Sequence, residues 1–317
     1  MKTEVYKTPI LLITFNRLDY VKVLMTEIKK LKPKKLYVVS DGARVDRSGE
    51  DILVEDVRNY VLNHVDWNCD VKTLFRFENF GCNGSISGAL DWFFNHEEQG
   101  VILEDDCIPN LSFFKYCEKM LEYYNDDKRI VGVNGSNMFP THENEIFFSR
   151  HMSPWGWATW KRAWKLHDYD IKEKVVKKNV RFSDYYSIKN GFYKVEYKRS
   201  QGLFDFSKEW FWDQRWNYCT MLNNGLFVNP KKNLITNIGV DGTHTGSETN
   251  FTGAVAEVFD VEKLNFPDYI FPDYEHEVRV FNQFKPISYS PKRLFWHVMG
   301  KLGLYDRLLK LYKRFVL

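Results

Sequence analysis

The sequence predicts an α/β fold, a mixed but mainly parallel sheet flanked by helices, and three observations carry that expectation. Apolar runs alternate with stretches at helical spacing in the order strand, helix, strand, helix, strand, the pattern of parallel crossover units. The runs are nearly continuous, as in strands covered on both faces. Several end abruptly in polar or charged residues, at the edge where open α/β sheets collect ligands.

The elements follow in order. Pro9 to Phe15, PILLITF, reads as a buried first strand closed by Asn16-Arg17. Leu18, Val21, Leu24, Met25, Ile28 and Leu31 then recur at helical spacing until Pro33 stops the helix. Leu36 to Ser40 is a second strand ending in Asp41-Gly42, and Leu53, Val57, Tyr60 and Val61 mark a second helix over residues 50 to 63. Val71 to Phe77 is the third strand. Asn79 to Leu90, NFGCNGSISGAL, places glycines before a helix carrying Ile86, Leu90 and Phe93; its backbone N–H groups can hold an anion, or the glycines serve only a tight turn and close packing. After the fourth strand, Leu111, Phe114, Cys117, Met120, Leu121 and Tyr124 form a helical stripe, and Arg129 to Val133 is a further strand closed by Asn134-Gly135.

That fourth strand delivers the most informative stretch, Val101 to Pro109, VILEDDCIP. Three adjacent acids, Glu104, Asp105 and Asp106, repel one another, so placing them at the end of a buried strand calls for a compensating cation or hydrogen-bond donors. A divalent metal is the simplest candidate.

Composition narrows the class. The chain has 317 residues, 44% of them hydrophobic, enough for one large core or two modest ones. No run approaches the roughly 18 to 20 apolar residues of a membrane span, and no export signal is legible. The five cysteines form no CxxC pair and no zinc spacing, which suits buried thiols in a reducing cytosol. The net charge of +3 is unevenly distributed, since residues 292 to 317 hold seven Lys or Arg against Asp306 alone and the remainder is net negative. No basic footprint with a fold-specific motif points to nucleic acid.

Taken together, TFNR (Thr14 to Arg17), SDG (Ser40 to Gly42), the glycine-bearing helix start, LEDD (Leu103 to Asp106), then WGW, FWD and HTG, resemble in kind and order nucleotide-sugar glycosyltransferases of the GT-A type, over roughly residues 8 to 246. Within these the chain is most similar to the N-acetylglucosaminyltransferase I group and its bacterial relatives. The resemblance implies a GT-A (Rossmann-like) catalytic domain over 1–265, its nucleotide-sugar half 1–135 and its acceptor half 136–265, with 266–317 as an extension. It implies that Asp106 coordinates Mn2+ or Mg2+ bridging the donor diphosphate, that Glu104 and Asp105 lie near the ribose and sugar, and that Asp41 meets the nucleobase. Thr14, Asn16 and Arg17 would line the nucleotide pocket, with Asn83 and Ser85 on the glycine-bearing turn. Trp155, Gly156 and Trp157 would border sugar and acceptor. Asp213 in FWDQR matches the family's catalytic base. The family's basic and histidine residues after strand three are replaced by Gly84 and Ser85, while the donor implied is a UDP-sugar, UDP-N-acetylglucosamine first.

The residues suit that chemistry. Sugar transfer needs a group to absorb charge on the departing phosphate and a base beside the acceptor hydroxyl. Trp210, Trp212 and Trp216 give Asp213 apolar surroundings that raise a carboxylate's pKa, with Glu209 as the rival base. Trp155 and Trp157 offer flat faces to a sugar, whereas Trp160 and Trp164, four apart, belong in the core. His244 in DGTHTG could close over the donor or complete a metal site. From Ser290 onward two short helices combine Leu304, Leu308, Leu311 and Phe315 with Arg307, Lys310 and Arg314, fitting an anionic membrane surface or docking on the domain. The expected function is a metal-dependent inverting glycosyltransferase extending a lipid-linked surface glycan at the cytoplasmic face of the membrane. The alternatives are a sugar nucleotidyltransferase and a carbohydrate-binding protein without turnover.

Overall fold

The structure, a computed structural model, describes residues 5–139, 143–178, 210–239 and 255–283. Glu209, His244 and the C-terminal helices from Ser290 lie outside these residues. Among the described residues no helix is long and apolar enough to cross a membrane.

Eight strands form one sheet in the order β3-β2-β1-β4-β8-β6-β9-β7. The first half is built from β1 (Ile10–Thr14), α1 (Leu18–Leu31), β2 (Lys35–Ser40), α2 (Glu50–His64), β3 (Asp70–Phe75), α3 (Gly81–His96) and β4 (Gln99–Glu104). Its four strands are mutually parallel, as crossover helices require, with Thr14 opposite Ser40 and Ile13 opposite Glu104. β3 ends two residues earlier than its apolar run, leaving Phe77 fully exposed on the loop to α3. The α1 stripe lies where the spacing places it, with Val21, Leu24, Met25 and Ile28 buried against the sheet.

The second half mixes directions. β8 (Trp157–Trp160) runs antiparallel between β4 and β6 (Ile130–Asn134); β9 (Leu226–Pro230) is parallel to β6, and β7 (Ile146–Ser149) closes the edge antiparallel to β9. Six strands thus share one direction, and the sheet is mixed and mainly parallel. α4 (Leu111–Tyr123), the short α5 (Lys161–Trp164), α6 (Ile171–Lys178) and α7 (Trp212–Leu222) accompany these strands. A two-stranded ribbon pairs β5 (Cys107–Pro109) with β10 (Ile235–Asn237). Residues 266–283, placed by sequence in the extension, pack on this half. Phe266 stacks on Tyr123 at 3.8 Å between ring centroids, and from α8 (Tyr274–Gln283) Glu277 pairs with Arg150 at 2.7 Å.

One core lies on each face of the sheet. One gathers Leu12, Val38, Leu103, Phe114 and Trp160, and the other Leu11, Val39, Phe93, Trp157 and Trp216. The inner strands β1, β2, β4 and β6 are buried along nearly their whole length, whereas the edge strand β3 is only partly covered, so the polar chemistry of the inner strands is confined to their ends.

Candidate active site

The carboxyl ends of β1, β2 and β4 and the start of β8 meet at one edge, because Ile102 pairs with Trp157 and Asn134 reaches the same residue from β6. Val101, Ile102 and Leu103 are almost wholly buried, and the three acids emerge where the strand ends. Asp105 turns inward, 2% exposed, and is gripped by Arg17 through Nη2 and through Nε, 3.3 Å from Oδ2. Arg17 Nη1 also reaches Asp106 Oδ2 at 3.0 Å. Burial pushes the Asp105 carboxyl up to about 6, although Arg17 opposes that rise. Glu104 has no hydrogen-bond partner among the described residues. Burial first, then the charges of Asp106 and Asp105, drive its pKa well up, and Asp213 adds to that rise.

Asp213 reaches this neighbourhood from the other half. It occupies the first turn of α7, whose Trp212 and Trp216 pack on Trp157 with centroids at 6.0 and 6.5 Å. β8 therefore fixes both Trp157 and, through it, the start of α7. Burial raises the Asp213 pKa, opposed by backbone N–H donation around Asp213 and Gln214 at the helix start. The thiol of Cys82, on the first turn of α3, registers the same cluster: although the residue keeps an exposed surface, its pKa is raised by desolvation, then by Glu104 and Asp213, against the pull of Arg17. Four carboxylates thus bear on one region, and Arg17 is a cation that pairs with two of them, Asp105 and Asp106.

That excess of negative charge is the test for a metal. All the donors are hard carboxylate oxygens, the chemistry that Mg2+ and Mn2+ prefer over softer metals. Asp106, its side chain 18% exposed, and the unbonded Glu104 are the available ligands. Among the described residues no group of three or more His, Cys, Asp or Glu is arranged to enclose an ion. One or two carboxylates completed by substrate phosphates and water is the usual way such sites hold Mg2+, so the residues fit a cation that arrives with a phosphorylated ligand.

The remaining sequence-expected residues are placed as follows. Thr14 is buried with Oγ1 donating to the Val39 carbonyl at 3.2 Å, which ties β1 to β2. Asn16 donates to Glu50 at 2.9 Å, and Glu50 is itself paired with Arg44. Asp41 is buried, raised in pKa by that burial, and accepts the Phe80 N–H at 3.1 Å, so it fastens the β3–α3 loop. Ser85 is buried in the first turns of α3. Asn83 directs its amide at the backbone of Trp210 and Trp212. Trp155 is half-buried beside the core. Gly156 has φ +62°, and a Cβ there would overlap Ile235, so both the conformation and the space require glycine. Trp157 departs from its expected role: 1% exposed and stacked on Trp212, it has no ring face left for a sugar, because its place as the first residue of β8 turns it into the core. Trp160 and Trp164 are core residues as their spacing indicates.

Sequence reasoning passed over Gly239. Ile238 N–H donates to the Asp106 carbonyl at 2.9 Å, and a Cβ on Gly239 would overlap Asp106 Oδ2. The strand pairing that brings residues 235–239 beside Cys107 joins positions about 130 apart, and no local pattern announces it.

No family model matches the chain, and no curated protein sequence does. Among solved structures, it is similar to a mannosyltransferase from Pyrobaculum calidifontis at 16% identity and TM-score 0.35, over 51% of this chain and 46% of that one. It is also similar to a 4-diphosphocytidyl-2C-methyl-D-erythritol synthase from Anaerococcus prevotii, at 9% identity and TM-score 0.32 over 64% and 86% of the two chains. A putative glucose-1-phosphate thymidylyltransferase from Bacillus anthracis matches at 11% and 0.32, over 56% and 80%. The chain spans about half the length of the mannosyltransferase. Likeness at this level assigns no activity.

Proposed function

We propose that this protein is a divalent-cation-dependent glycosyltransferase that moves a sugar from a nucleoside-diphosphate sugar to a glycan hydroxyl with inversion. The observation that carries this reading is the convergence of Glu104, Asp105, Asp106 and Asp213 on one region with Arg17 as the paired cation. Asp106, with Glu104 beside it, would hold the cation, which when bound neutralises charge on the leaving diphosphate. Arg17, anchored on Asp105, keeps a guanidinium at the same strand end and limits the repulsion within the trio. Asp213 accepts the proton of the attacking hydroxyl. As the new bond from that oxygen to the anomeric carbon forms, the bond to the diphosphate breaks and its electrons leave with the phosphate. A carboxylate whose pKa is raised by burial is better matched to this task than a fully solvated one.

The kinship with the N-acetylglucosaminyltransferase I group, and with it UDP-N-acetylglucosamine as first donor, is part of this proposal and rests on the ordered motifs. So is a lipid-linked glycan acceptor at an anionic membrane surface, reached through the basic C-terminal segment; deleting residues 291–317 should then move the protein into the soluble fraction. The test of the activity is a thermal-shift panel of UDP-, GDP- and dTDP-sugars with Mn2+, followed by slow release of nucleoside diphosphate from the stabilising sugar without acceptor. Stabilisation with release is expected. A requirement for a nucleoside triphosphate and a sugar phosphate, with pyrophosphate as product, would replace the reading with nucleotidyl transfer. Binding without any release would replace it with a carbohydrate-binding role.

A further inference from the structure

We infer that Asn83 is a positioning residue that caps α7 from a different helix and so sets the place of Asp213. The N-terminal amides of a helix lack partners within it and are usually met by the side chain of the residue just before. In α7 that residue is Phe211, whose side chain has no oxygen to offer. Asn83, on the first turn of α3, supplies what is missing: its Oδ1 accepts the Trp212 N–H at 2.8 Å, and its Nδ2 donates to the Trp210 carbonyl at 3.4 Å. One amide thus holds the backbone on both sides of Phe211. Asp213 follows immediately, and the Gln214 side chain, one residue further, accepts the Phe211 N–H at 3.0 Å.

This joint spans the two halves of the molecule. α3 belongs to the parallel half, and Asn83 sits next to Cys82, whose thiol lies in the field of Glu104, Asp106 and Asp213. Asn83 is 129 positions from Trp212 in sequence, so its two bonds register the acceptor-side helix on the donor-side turn. Removing its amide leaves the folded sheet and both tryptophan contacts of α7 in place but frees the turn that aims the carboxylate. The role assigned to Asp213 rests on the proposed function, whereas the cap itself does not.

The test uses the full chain with N83A and N83D, and D213N in parallel. Amide hydrogen exchange should show Trp212 to Arg215 losing protection in N83A while Tyr218 to Leu222 keep theirs. N83D, which retains an acceptor oxygen, should restore protection at Trp212. With UDP-N-acetylglucosamine and Mn2+, or the sugar that the stabilisation panel selects, N83A should lower the rate of nucleoside diphosphate release about 100-fold with donor affinity within about two-fold, as expected for a displaced catalytic group. N83D adds a carboxylate near Asp213 and should move the acid limb of the pH profile upward. Unchanged exchange in N83A overturns the cap, and lost protection with an unchanged rate overturns the positioning role. Full activity in D213N would instead remove Asp213 as base, a failure separate from the exchange result.

Discussion

The two halves of the sheet put their aromatic and charged residues to opposite uses. In the parallel half, the buried positions of β1, β2 and β4 are mainly aliphatic, and their charge is concentrated where those strands stop, as Arg17, Asp41 and the trio at 104–106. In the mixed half, the interior is rich in tryptophan, with Trp157, Trp160, Trp164 and Trp216 all buried, and Asp213 lies on the first turn of α7. One half thus concentrates charge at its strand ends, while the other packs a tryptophan-braced helix that carries Asp213 to the same region. Tryptophan density in this chain therefore marks packing more than sugar contact.

Substitutions can break that division, and the largest effect belongs to Asp213, the base of the proposed function. D213N should reduce transfer by about 10²- to 10⁴-fold while leaving donor binding nearly unchanged, measured as turnover against donor affinity. Next come changes that attack folding in each half. Trp157→Ala opens a cavity beneath α7 and should cost about 3–5 kcal/mol in denaturant unfolding, whereas Trp155→Ala, at a half-buried position, should cost clearly less. Arg17→Ala leaves Asp105 buried and unpaired. It should cost roughly 2–4 kcal/mol, below the figure for a fully enclosed pair because the Arg17 side chain is 31% exposed. The loss should be larger at pH 8 than at pH 5, where Asp105 can be protonated.

A smaller effect sharpens the metal assignment. Gly239→Ala drives a methyl group against Asp106 and should weaken Mn2+ binding in the presence of nucleoside diphosphate by about 10- to 100-fold, read by calorimetry, with little change in stability. The smallest is a pH dependence. The folded-state pKa of Asp105 is about 6, above the roughly 3.9 of an unfolded chain, so without a cation this group's ionisation erodes stability as pH rises from about 4 through 6. Glu104 is shifted the same way. A cation favours the ionised forms, so the gain in Tm from Mn2+ should be greater at about pH 7.5 than at pH 5. A gain that shrinks with rising pH would place the cation elsewhere.

The same contrast explains what could be read from the sequence. Strand and helix boundaries in the first half match the apolar periodicity to within about two residues, because each crossover unit is local; the shift falls at the end of β3, the partly covered edge strand. The trio is conspicuous in the sequence because a buried apolar run ends in it. In the second half, β8 inserts between β4 and β6 against the sequential order, and β10 reaches back to β5 across more than a hundred residues, pairings that no window of sequence contains. Trp157 is buried for that reason: WGW has the look of a binding motif, but β8 turns its second ring into the core. Gly239 and the amide of Asn83 act through backbone proximity between distant segments, which leaves no compositional trace.

The central claim is that Asp106 holds a cation at the strand end that Asp213 faces. Mn2+-dependent release of nucleoside diphosphate, measured alongside Mn2+ affinity in D106N and D213N, tests it most directly. The account predicts that both variants lose turnover but only D106N loses Mn2+ binding. Undiminished Mn2+-dependent release by D106N would contradict it.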